Sequence, residues 1–289
     1  MFKSVEELIA LCESQNKKIH EIMLEQEMEV TGLSEAEIYA HMDKNLQTME
    51  NALEEGLQGV TSTTGLTGGD AVLLQAYIKS GKSLAGPTLL DAVSKAVATN
   101  EVNAAMGKIC ATPTAGSAGV VPGVLFGLKP RLDPSRKDML NFLLTSGAFG
   151  FVVANNASIS GAAGGCQAEV GSAAAMAAGA TVELAGGTPQ QSAEAFAICL
   201  KNMLGLVCDP VAGLVEVPCV KRNAAGASNA IVSADMALAG VTSRIPTDEV
   251  IEAMYKIGQT MPSALRETGR GGLAGTPTGQ RLKQEIFGD

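Results

Sequence analysis

Apolar residues in this chain recur at intervals of three and four, and the period-2 alternation of a half-buried strand is nearly absent. The one β-branched pair that invites a strand, Val120-Val121, is followed at once by Pro122. Such a pattern predicts an all-α fold. The apolar positions are filled mainly by Ala, Gly, Val and Leu, with 33 Gly, 3% aromatics and no Trp. Small side chains let helix axes approach closely, so the expectation is a compact multi-helix body. At 289 residues and 46% hydrophobic, the chain has ample core and is not disordered.

Helix boundaries are readable at several points. Ser4 with Glu7 forms a capping box, and Leu8, Ile9, Cys12, Ile19, Ile22 and Met23 predict one apolar face behind it. Ser34 with Glu37 opens a second helix through Ile38, Met42, Leu46, Met49, Leu53 and Leu57. Pro87 suits the first position of a helix running to about Ile109, with Lys108 near its C-terminal dipole. Pro134, Thr188 with Gln191, and Pro246 open three more, the last being the final clear helix.

Charge is unevenly spread. Residues 1–60 hold 13 acids against 4 lysines, a balance of -9, which equals the net charge of the whole chain. We therefore expect an acidic amphipathic helical arm over 1–60 and a neutral body over 61–289. The arm's acidic faces read as solvated surface, with a partner-docking arm as the alternative. A Gly/Thr-rich segment, residues 59–69, separates the two and is expected to cap a helix near Asp70.

This balance excludes nucleic-acid binding, because no basic cluster exists to neutralise phosphates. The N-terminus lacks an apolar h-region, and the uncharged stretch 139–168 is broken by Asn141, Asn155 and Asn156. The reading is a buried helix and a polar loop rather than a bilayer span, and a cytoplasmic protein without membrane attachment.

Four Gly-rich loops carry the chemistry: residues 112–119 (TPTAGSAG), 158–167 (SISGAAGGCQ), 208–223 (CDPVAGLVEVPCVKRN) and 266–275 (RETGRGGLAG). Of six cysteines, Cys12 and Cys199 sit on apolar helix faces and read as core, as does Cys110 with less context. Cys166, Cys208 and Cys219 differ, since each lies in a loop beside Gly or Pro. Gly lets backbone approach a bulky inorganic group, and Pro commonly neighbours iron–sulfur thiolates. Structural zinc prefers four ligands in close pairs, which this spacing does not offer. A [4Fe–4S] cluster on three cysteines leaves one iron without a protein ligand, an open Lewis-acid site.

At these residues the sequence closely resembles the α chain of bacterial iron–sulfur L-serine dehydratases. The matching stretches are residues 112–125 (TPTAGSAGVVPGVL), 165–179 (GCQAEVGSAAAMAAG), 205–227 (GLVCDPVAGLVEVPCVKRNAAGA) and 266–276 (RETGRGGLAGT). The resemblance implies that Cys166, Cys208 and Cys219 hold a [4Fe–4S] cluster and that L-serine is converted to pyruvate and ammonia. It also implies a separate β chain, because the family's Ser-Ser-His-Thr stretch, thought to supply a catalytic histidine, is missing here. The only histidines are His20 and His41, both in the acidic arm. Some single-chain relatives end in a Cys that reaches the open iron, whereas this sequence ends Ile-Phe-Gly-Asp.

Loop membership names the substrate candidates. Thr114, Ser117 and the amides of Ala115 and Gly116 are expected to hold the carboxylate, assisted by Arg222, Asn223 and Arg270. Arg222 has an alternative, pairing with Asp209 or Glu216. No residue stands out as the general base, which is expected from the β chain in a hetero-oligomer. Two competing functions remain at this stage: another iron–sulfur hydro-lyase acting on a small hydroxy acid, and a non-catalytic cluster-bearing subunit.

Overall fold

A computed structural model describes residues 1–288 and is helical throughout. Among the described residues the β-type pairings are two isolated bridges, Thr61 with Gly68 and Cys208 with Arg266. The all-α expectation holds, and Val120-Val121-Pro122 lies inside a helix rather than a strand.

The acidic arm contains three helices, α1 (Val5–Gln15), α2 (Ile19–Thr31) and α3 (Glu35–Gln58). The expected continuous first helix breaks because Asn16 adopts φ 52° and closes α1 in the left-handed region. Ile19, Ile22 and Met23 therefore face inward from α2. The Ser34–Glu37 capping box forms in full, whereas at α1 only half of the expected box does: Ser4 accepts from the Glu7 N–H, but the Glu7 carboxylate accepts from the Lys3 N–H instead of that of Ser4.

The body begins with α4 (Asp70–Lys79) and α5 (Pro87–Ala104). The segment 59–69 ends at the N-cap of α4, as expected, with Gly69 in that position, but the side chain that accepts the Asp70 N–H, at 2.7 Å, is Glu101 of α5. α5 stops short of Ile109, because Met106 takes φ 64° and the Gly107 N–H reaches back to the Val102 carbonyl. Lys108 and Cys110 consequently lie beyond the helix rather than at its end.

Next come α6 (Val120–Leu132) and α7 (Arg136–Asn156), the latter capped by Ser135 with Asp138 just after Pro134. A single turn, α8 (Gly161–Gly164), precedes a π-helical turn at Gln167–Gly171 that runs directly into α9 (Ser172–Leu184). Then follow α10 (Pro189–Lys201), α11 (Cys219–Leu238) and α12 (Thr247–Thr260). A last helix, α13 (Pro277–Phe287), was not anticipated, although Thr276-Pro277 repeats the cap-then-proline signal of Thr188-Pro189.

α9 is the central element. Every residue from Ser172 to Glu183 is buried, and its alanines let α7, α10 and α11 close around it. A β-carbon at Gly179 would fall 2.4 Å from the Phe149 ring of α7. On the other side α6 crosses α5 where Gly123 and Gly127 meet Ala96 and Ala92. Leu8, Ile19, Leu46 and Met49 of the arm belong to the same continuous apolar core as Val124, Phe149 and Phe196 of the body. No helix among the described residues is long and apolar enough to cross a membrane.

Candidate active site

The site forms where three connections meet at one end of α9. Cys166 precedes the π-helical turn, Cys208 lies in the connection after α10, and Cys219 is the first residue of α11. Gln167, fully buried, locks the first two together: its backbone N–H donates to Leu206 O at 2.9 Å, and its Oε1 accepts from the Gly205 N–H. Its Nε2 donates to Gly164 O and to Met254 O of α12. The fourth loop joins by backbone pairing, with Cys208 N–H donating to Leu265 O and Glu267 N–H to Cys208 O. The Thr112–Pro113 and Val217–Pro218 peptide bonds, in two of these loops, are cis.

All three thiols are buried and free of disulfides. Burial pushes the Cys166 thiol up to about 11, opposed by the guanidinium of Arg222 and reinforced by Glu169. Cys219 is pushed up to about 12 by burial, then by Cys166 and Glu169. Cys208 rises further still, through burial and the nearby Cys166, Glu169 and Glu267. Cys166 thus disfavours ionisation of both Cys208 and Cys219, and Cys219 that of Cys208. Among the described residues no three His, Cys, Asp or Glu side chains gather at the spacing of a single metal ion.

The other cysteines sit elsewhere. Cys12 is core in α1, and burial pushes it up to about 12. Cys199 is fully buried, with its Sγ 3.1 Å from Asn229 Nδ2, and burial raises its thiol too. Cys110 packs partly against the main core.

The loop at 112–119 tightens into a 3-10 turn, Ala115–Ser117. Ser117 is fully buried and donates its hydroxyl to the Thr112 carbonyl, holding the turn closed. Asn223, also fully buried, accepts from the Gly119 N–H and donates to the carbonyls of Gly116 and Cys219. It ties the turn to the start of α11, so its amide is spent on the scaffold. The N–H groups of Ala115 and Gly116 have no acceptor among the described residues. Thr114 donates its hydroxyl to Glu169 Oε1 at 2.8 Å.

Arg222 takes the first of its two anticipated pairings. Its Nη2 lies 2.8 Å from Asp209 Oδ1, at an angle short of a hydrogen bond, and its Nη1 donates to the Val207 carbonyl. Glu216 instead accepts from the hydroxyls of Thr64 and Thr67, which brings the Gly/Thr-rich segment against the site. Arg270 is exposed and forms no ion pair among the described residues.

Sequence reasoning passed over Gln167, Glu169 and Asn100. Asn100 of α5 is fully buried, reaches Gly116 O with its Nδ2 at 3.4 Å, and leaves its Oδ1 without a partner. Glu169 is 8% exposed, and burial pushes its carboxyl up against the opposing bonds from Thr114, Cys208 and the Gly161 N–H. Its position one turn beyond Cys166 was the available signal.

A serine dehydratase alpha chain family profile matches residues 14–274. A probable L-serine dehydratase alpha chain of Bacillus subtilis is 73% identical over 288 residues, covering 100% of this chain and 96% of that one. The L-serine dehydratase alpha chain of Peptoniphilus asaccharolyticus is 45% identical, covering 99% of both. An L-serine dehydratase of Helicobacter pylori is 39% identical over 95% of this chain but only 62% of its own, longer chain.

Proposed function

The chain belongs to the serine dehydratase alpha chain family, and we propose that it is the catalytic α subunit of an L-serine dehydratase carrying a [4Fe–4S] cluster. The observation that carries this reading is the convergence of the buried Cys166, Cys208 and Cys219 at one end of α9, beside the Thr114–Ser117 turn. Three cysteines in Gly- and Pro-rich loops suit a polynuclear iron–sulfur group, and Arg222 supplies positive charge next to Cys166. When bound, such a cluster offers one iron without a protein ligand, a Lewis acid for the leaving hydroxyl of serine.

The chain's own residues do the rest. The free N–H groups of Ala115 and Gly116 receive the substrate carboxylate, and Ser117 and Asn223 hold that turn rigid against the start of α11. Arg270 adds positive charge at the exposed edge. Arg222 acts at one remove, balancing Asp209 and the thiolates rather than touching substrate. Elimination of water leaves an enamine, which becomes pyruvate and ammonia by hydrolysis in solution.

Abstraction of the Cα proton needs a base, and none of the four loops contributes a histidine. We assign it to a β chain, the equivalent of the extra length in the single-chain relatives, in a hetero-oligomer. A thiolate-held cluster with an open iron fits a reducing compartment, the cytoplasm. The test is anaerobic co-production with the β chain, followed by assays of iron, sulfide, pyruvate and ammonia. Serine turnover without iron, or an iron-loaded assembly inert to serine, would reject the assignment.

A further inference from the structure

Five carboxylates are buried among the described residues: Glu101, Glu169, Glu183, Asp209 and Glu216. Four are engaged by groups already placed in the fold. Glu101 receives the first N–H groups of α4, Glu183 those of α2 together with His20, and Asp209 faces Arg222 and the Leu273 N–H. Glu216 has no cation among the described residues, but two threonine hydroxyls donate to both of its oxygens at 2.9–3.1 Å. Glu169 has one hydroxyl at 2.8 Å, a long thiol contact to Cys208 at 3.8 Å, the nearby Gly161 N–H, and no cation. A buried carboxylate so placed lacks the partner that usually offsets its desolvation.

Its surroundings are kept open by glycine. A β-carbon at Gly161 would fall 2.5 Å from Glu169 Oε2 and 2.9 Å from Cys208 Sγ. One at Gly116 would lie 3.4 and 3.6 Å from the two carboxylate oxygens. Glu169 thus borders both the Cys208 thiol and the turn whose N–H groups are free. A carboxyl group without a cation, beside N–H donors without an acceptor, is the complement of a zwitterion, in which ammonium and carboxylate share one carbon.

We propose that Glu169 binds the α-ammonium group of the substrate, with the turn at Ala115 and Gly116 taking the carboxylate of the same molecule. This rests on the serine dehydratase reading and deepens it. It makes Glu169 the residue that selects an amino acid over a hydroxy acid, which offers an anion-binding turn the same carboxylate but gives Glu169 no cation. Thr114 orients the carboxylate through its hydroxyl.

The test uses the cluster-loaded α chain with its β chain, as wild type, Glu169→Gln and Glu169→Asp, with iron, sulfide and thermal midpoint measured for each. Affinity is read for L-serine by KM and for 3-hydroxypropanoate, which lacks the ammonium, by inhibition. Removing one charge-assisted bond is expected to weaken L-serine by about tenfold or more in Glu169→Gln while leaving 3-hydroxypropanoate unchanged or tighter. If 3-hydroxypropanoate binds none of the proteins, L-serine affinity alone decides. Glu169→Asp, which keeps the charge, is expected to fall between, and it decides the matter if the Gln variant fails to load its cluster. Equal loss for both ligands, or no loss for serine, overturns the role of Glu169 while leaving the enzyme assignment intact. A cluster-loaded wild-type assembly without serine turnover overturns both.

Discussion

The backbone N–H of Ile19 donates to Glu183 Oε2 at 2.6 Å, so a carboxylate from the last turn of α9 caps the second helix of the acidic arm. The same side chain accepts from Thr145 Oγ1 of α7 and meets His20 Nδ1 at 2.8 Å. An anion at a helix N-terminus is favourable, and here it is only 8% exposed. The segment that holds the whole net charge is thus joined to the body by a buried acid as well as by the shared apolar core and by contacts such as Val5 N–H to Asp248 and Arg136 to Asp43.

Replacing Glu183 by Ala is expected to destabilise the protein by about 3 kcal/mol, because buried donors from α2 and α7 lose their acceptor. Glu183→Gln, which keeps an acceptor oxygen, should cost less. Urea unfolding followed by circular dichroism measures both. Equal midpoints for wild type and the Ala variant would show that the arm is held by apolar contacts alone.

Acid should loosen the same joint. Burial raises the carboxyl of Glu183, but bonds from His20, Thr145 and Ile19 outweigh it and hold the group below its ordinary 4.5. A depressed folded value means that this contribution is full above the unfolded value and is lost as pH falls through the lower folded one. The wild-type midpoint should therefore drop more steeply below pH 4.5 than that of Glu183→Gln. Parallel pH profiles would contradict this.

Much of the helix framework was legible because its signals are local. Ser4, Ser34, Thr188 and Pro87 mark helix starts through chemistry contained within one turn. The errors arose where backbone conformation or distant partners decide. Asn16 and Met106 take positive φ without being glycine, so α1 and α5 end earlier than periodicity suggests. The caps of α2 and α4 come from Glu183 and Glu101, far away in sequence. At the site, the loops were recognisable by composition, but the division of labour within them was not. Arg222 and Asn223 look like ligand-binding residues until the ion pair of Arg222 with Asp209 and the hydrogen bonds to Val207, Gly116 and Cys219 are seen. Glu169 was hidden inside an apparently apolar helix start.

Cys166→Ala, Cys208→Ala and Cys219→Ala should each lose most bound iron and sulfide, while Cys12→Ala and Cys199→Ala retain them. The first three thiols influence one another electrostatically, whereas the other two are packed within helices. Filling of the Cys199 site by Ala removes one sulfur from the core and the Asn229 contact, a cost of about 1–2 kcal/mol rather than a loss of metal. Iron and sulfide assays on anaerobically purified variants decide it. Retention of a full complement in Cys208→Ala would remove that residue from the ligand set.

The cluster-loaded chain alone should turn over L-serine slowly or not at all. General-base assistance is worth about 10²–10⁴-fold, and neither histidine can supply it from its place in the fold. His20 binds Glu183 at the far end of α9 from Cys166, roughly 25 Å away at 1.5 Å of rise per residue. His41 is exposed on α3, one turn from Glu37. Adding the β chain should therefore raise the rate by about that factor, and His20→Ala or His41→Ala should leave the rate of the assembly unchanged. Full turnover by the isolated chain would place the base within it, and its abolition by His20→Ala would mean that the arm leaves Glu183 and folds onto the site.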